Sequence, residues 1–210
     1  MNPAKIRLSQ AEMELVNNAD LILTKNAILK KVQLLLGNVQ VNQQKHLLLY
    51  PAGLPATVSP SAFKISKGEN YKGLPYLILD YPRLFAPGNI FAVRTMFWWG
   101  NFFSITLHLS GLYKKEAEEK LIAGYEDMKE KGYYYFINED QWEHHFEMDN
   151  TTPVSGLSKK DFERSVRERS FIKLANKISL QQWDDAEEML QGYFEEIIEM
   201  LSNKKNPRTK

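Results

Sequence analysis

The chain has 210 residues, 43% of them hydrophobic and 25% charged. That balance is too apolar for a disordered chain and suits one domain better than two, so a single globular domain is expected over 1–210, with a polar, disordered tail at 203–210. A net charge of +1 lacks the basic surplus of a nucleic-acid protein. The absence of cysteine excludes disulfides, thiolate nucleophiles and Cys-ligated metals, and tilts the expected address towards the cytoplasm. Met1–Leu8 carries no apolar signal-peptide region and no apolar run reaches membrane length, so neither export nor a membrane is expected.

Ser9-Gln-Ala-Glu12 has the form of a capping box. Leu15, Ala19, Ile22 and Leu23, then Ile28, Val32 and Leu35, repeat at helical spacing. The spacing predicts helix over 10–36, ended by Gly37 and broken near Asn17–Asp20, where short polar side chains compete for the backbone. Pro51, Gly53, Pro55 and Pro60 mark 38–62 as an irregular connection. Residues 63–66, 76–81, 90–99 and 102–110 are β-branched and aromatic, and read as strands. Lys67–Leu74 and Pro82–Asn89 read as loops. From Lys114 the period becomes helical, with Ala117, Leu121, Tyr125 and Met128 on one face and Gly132 as the stop. Tyr133–Ile137 is a short strand candidate and 149–157 a loop. Ser158 caps a helix to Arg169, and 171–178 also reads as helix. Ser179 caps a last helix with the stripe Leu180, Trp183, Ala186, Leu190, Phe194, Ile197 and Leu201. The fold class expected is α+β: a mainly antiparallel sheet, a central meander, flanked by N- and C-terminal helices.

Reading Gly100-Asn101 as a two-residue turn pairs Trp99 with Phe102, Phe97 with Ser104, Thr95 with Thr106 and Val93 with His108. These side chains then share one face of the sheet. Ala92, Arg94, Met96 and Trp98 would lie on the other, beside Phe103, Ile105, Leu107 and Leu109, facing the helices. Arg94 would be the one charge there, paired with a carboxylate or holding an anion. Asp80 would join the first face near His108. An aromatic face with a few converging polar groups suits a small ligand, and the candidate ligand-binding residues are Asp80, Arg94, Thr95, Trp99, Thr106 and His108. The same Asp80 and His108 could instead serve as an acid–base pair, with Ser104, Ser110 or water as nucleophile, although no Gly-x-Ser-x-Gly elbow supports it.

Glu143-His144-His145-Phe-Glu147 lacks a His-Glu-x-x-His spacing and reads as a solvated surface segment, so no metal is expected. Gly68–Gly73 lacks the spacing of a phosphate loop. The Arg164–Arg169 stretch is interrupted by acids and reads as a solvated helix face.

Residues 64–83 and 91–109, from Lys64-Ile-Ser-Lys-Gly-Glu-Asn-Tyr to Phe-Phe-Ser-Ile-Thr-Leu-His-Leu109, resemble a family of uncharacterised bacterial proteins without an assigned activity. The resemblance implies a bacterial, cytoplasmic protein and brings no catalytic residues. The expected function is non-catalytic: small-ligand binding or protein interaction, with a small molecule or a second copy as partner, and no cofactor, nucleic acid or membrane. The alternative is a hydrolase-like enzyme with its site around Asp80 and His108.

Overall fold

The computed structural model describes residues 6–49, 54–58 and 60–202. In chain order it runs α1 (Gln10–Asn17), α2 (Ala19–Leu49), β1 (Lys64–Tyr71), β2 (Leu74–Ala86), β3 (Asn89–Trp98), β4 (Phe102–Ser110), α3 (Gly111–Ala123), α4 (Tyr125–Glu130), β5 (Tyr134–Phe136), β6 (Thr151–Pro153), α5 (Lys159–Glu168), β7 (Phe171–Ser179) and α6 (Ala186–Leu201). Short 3₁₀ turns precede α5 and α6.

The seven strands form one sheet in the order β1-β2-β3-β4-β7-β5-β6, and every pairing is antiparallel. With helices at both ends of the chain this is the α+β class expected. The meander β1 to β4 is read directly from its β-branched and aromatic runs. Its edges differ from expectation, because β1 continues through Tyr71 and β2 through Ala86. Segments read as loops are therefore mostly strand.

Two larger corrections concern helices. Gly37 does not stop the N-terminal helix, which continues to Leu49. Val32, Leu36, Val39 and Leu47 on its inner face are fully buried. That tertiary packing outweighs the roughly 1 kcal/mol helix penalty of one glycine. Pro51 and Gly53 lie outside the described residues. Residues 171–178, read as helix, form β7, and β6 lies in a segment read as loop. β7 is buried on both faces, so a polar–apolar alternation hardly shows.

The N-terminal signals are borne out. Ser9 forms the capping box with Glu12, each side chain bonding the other's backbone N–H. The break falls at Asn18, whose side chain accepts the Leu21 N–H at 3.2 Å and so caps α2. Ser158 caps α5 by accepting from Asp161 N–H.

One face of the sheet carries the main core. Leu77, Leu79, Phe91, Val93, Phe97, Phe103, Ile105 and Leu107 lie there, where α2 meets β2, α3 meets β3 and β4, and α6 meets β4. Gly111 turns the chain from β4 into α3 with φ +56°; a Cβ there would lie 2.2 Å from the Gly88 carbonyl oxygen, so only glycine fits.

Candidate functional site

Trp98 pairs with Phe102, so the β3–β4 connection has three residues, Trp99-Gly100-Asn101, with Gly100 at φ +72°. The expected two-residue turn was one residue short. Because side chains alternate, that single step moves one strand's whole set to the other face. Arg94 now stands opposite Thr106 and Ala92 opposite His108, while β2 brings Asp80 opposite Arg94. Four of the six candidate residues, Asp80, Arg94, Thr106 and His108, therefore share the face away from the helices. Thr95 and Trp99 do not. Thr95 pairs with Ile105 on the helix face and is fully buried, its hydroxyl without a partner. Trp99 packs beside Phe97 on the same side. The three rings expected together are likewise split, since Phe102 meets Trp98 and Phe146 on the opposite face.

What covers that opposite face is the segment between β5 and β6, residues 137–150. Its stretch Glu143–Glu147 was expected to be solvated surface. Instead Phe146 wedges among Phe102, Tyr134 and Phe136, and Trp142 stacks near His108 and Phe85. Tyr71 pins the segment to β1. Its hydroxyl accepts the His144 and His145 N–H groups at 2.7 and 3.1 Å and donates to Glu143 at 2.8 Å. Burial, ahead of the Glu143 charge, raises the Tyr71 phenol above its ordinary range.

Beneath this cover lies a layer of charged and polar groups. Arg94 grips both oxygens of Asp80 in a fork, at 2.7 and 3.0 Å. Its remaining nitrogen meets His144 Nε2 at 3.0 Å. Since a guanidinium only donates, His144 accepts there. Burial, then the charges of Lys173 and Arg94, hold the His144 imidazole well below its usual range. His108 contacts Gln141 at 3.1 Å, and burial with the same two cations lowers it to about 3. Lys173 pairs across the β4–β7 ladder with His108, lies over the Phe136 ring at 3.9 Å and donates to the Glu143 carbonyl. Burial, then repulsion from Arg94, lowers its amine from 10.5 to about 7.

Sequence reading missed Lys173, His144, Gln141 and Tyr71. Lys173 was hidden because residues 171–178 read as helix, whereas they form a strand buried on both faces. An amine near neutrality is a chemically capable group. Here, however, it is capped by the 137–150 segment. Asp80 is engaged by Arg94, and His108 by Gln141. Surface cavities among the described residues lie elsewhere. One of about 610 Å³ between α2 and α6 is lined by Asn42, Gln191 and carboxylates including Asp184 and Glu187. One of about 310 Å³ is lined by Leu54, Phe91, Tyr113 and Lys120.

Among the described residues, His145, Glu147 and Asp149 could hold a metal ion, with ligand atoms within 4.8 Å of one another. His145 Nδ1 faces Glu143 at 2.9 Å and Nε2 faces Asp149 at 3.2 Å.

Comparison with family models, curated proteins and solved structures gives no match to this chain.

Proposed function

We propose that the chain is a non-catalytic interaction protein of the bacterial cytoplasm that docks on a protein partner through an N-terminal helical arm, residues 6–31. One observation carries the reading. α1 buries no residue, and the first buried residue of α2 is Val32. Met13, Leu15, Val16, Leu21, Ile22 and Leu23 are all exposed. A monomer seldom presents contiguous apolar surface without a partner to cover it. An eight-residue helix also cannot hold itself by hydrogen bonding alone.

The charged layer under residues 137–150 supports the non-catalytic side of the reading, since its groups are committed to one another. The cytoplasmic address rests on the missing cysteines, and the bacterial source on the resemblance of residues 64–83 and 91–109. No helix among the described residues is long and apolar enough to cross a membrane.

The test is a photo-crosslinking amino acid placed at Leu15 in one variant and at Arg164, on the solvent side of α5, in another, both expressed in living cells. A discrete protein adduct from position 15 and none from position 164 is the expected result. No adduct from position 15 sinks the reading.

A further inference from the structure

The arm that this docking reading rests on carries its charges in two blocks. Glu12, Glu14 and Asp20 occupy its first part, and Lys25, Lys30 and Lys31 its second. Arg7 stands ahead of the first helical turn. The Glu12–Glu14 turn and the Lys30–Lys31 turn lie about equally far in sequence from Leu21-Ile22, at the middle of the exposed apolar run. With two arms antiparallel about a twofold axis near that midpoint, the acidic turn of α1 in each, beyond the break at Asn18, is directed to the basic turn of α2 in the other. Parallel arms would set like charge on like charge. An antiparallel twofold contact is also isologous, the commonest way for identical chains to close on themselves.

We infer that the partner of the arm is a second copy of this chain, bound antiparallel through residues 6–31 in a twofold dimer. Each arm covers the apolar side chains of the other, and Glu12 and Glu14 meet Lys30 and Lys31 across the axis. The root of the arm is fixed for this purpose, because Lys25 is bonded to Glu69 of β1 at 2.6 Å and Ile28 and Leu29 pack on the core. The composition of the arm argues against a membrane surface as the occupant. Residues 6–31 hold four basic and three acidic groups, whereas interfacial helices concentrate Lys and Arg on the polar face.

The experiment is sedimentation and light scattering of the full chain between about 1 and 100 μM, the range over which weak to moderate dimers form. The expected mass is twice 24.4 kDa. Leu15→Glu with Ile22→Glu should give the mass of one chain, with the thermal midpoint of the body unchanged because neither side chain is buried. Glu14→Lys, which spares the Ser9–Glu12 capping box, and separately Lys30→Glu with Lys31→Glu, should each weaken self-association by about tenfold. Mixed together, the two charge variants should pair again, since each then meets its opposite. A wild type that stays at one chain's mass at the top of the range overturns the inference, and so does a mixture no tighter than either variant alone. A single-chain mass alongside a protein adduct at position 15 refutes the second copy while leaving the docking arm standing. Capture of the arm by phosphatidylglycerol vesicles, with no dimer, assigns the apolar stripe to a lipid surface and overturns it as well.

Discussion

Lys173 shows how strongly one residue can register its surroundings. Its amine lies opposite His108 and near Arg94, and is lowered from 10.5 to about 7 in the folded chain. Between those values the unfolded chain holds a proton that the folded chain does not, so stability rises with pH across that window and is lost as pH falls towards 7. Lys173→Met should flatten the rise, read as the dependence of the urea midpoint on pH. A slope identical to wild type would show that the amine is not titrating there. His108 works the same way lower down. Its folded value of about 3 against an unfolded 6.5 removes stability as pH falls from 6.5, and His108→Gln should remove that part of the acid limb. Arg94 makes a different prediction. Asp80 is 5% exposed, and Arg94→Met would strip its cation, costing about 3–5 kcal/mol. The double variant Asp80→Leu with Arg94→Met should recover much of that loss, because an apolar pair of similar volume leaves no charge stranded. Denaturant melts of the two variants decide it, and equal losses would show that the fork is not what holds the site.

At the scale of elements, the segment 137–150 behaves as a cover, and Tyr71 is the residue of β1 that ties it down. Tyr71→Phe leaves the backbone N–H groups of His144 and His145 without their acceptor, worth about 1–3 kcal/mol. Hydrogen exchange at those two amides should quicken while β3 and β4 stay protected. If the whole sheet loosens together, the cover is not a separate unit. The same element shows where sequence reasoning stopped. The strands of the meander, the capping box at Ser9, the break at Asn18 and the apolar stripe of α6 were all legible, because each is local chemistry. The register was not. Trp99-Gly100-Asn101 and Gly100-Asn101 are both chemically reasonable turns, and the choice between them decides which side Arg94 occupies. β7 was hidden for a related reason: a strand buried on both faces loses most of the alternation that would announce it. Residues 137–150 could not be placed at all from pattern, since their rings and histidines cover a sheet contributed by distant parts of the chain.

Taken as a whole, the molecule divides its apolar surface unevenly. The helix side of the sheet is closed by α2, α3 and α6, and the other side by a single irregular segment. The arm ahead of Lys25 is left without cover. A dimer through the arm would leave both bodies, and both charged layers, independent of the contact. The stability of the body should accordingly be insensitive to protein concentration, while that of α1 should not be. Exchange protection of α1 amides rising with concentration is the expected signature.

The position of β7 has a consequence for how the chain is made. β4 pairs with β3 on one side and with β7 on the other, yet β7 begins at Phe171, 61 residues after Ser110 ends β4. During synthesis the meander is therefore complete while one long edge of it still presents unpaired backbone groups, with Phe103, Ile105 and Leu107 beside them. At about 5–20 residues per second, the strand that closes this edge is finished roughly 3–14 s later. An open apolar edge is a template for pairing with a neighbouring nascent chain, so the interval before Phe171 emerges is the one in which this edge is open to mispairing.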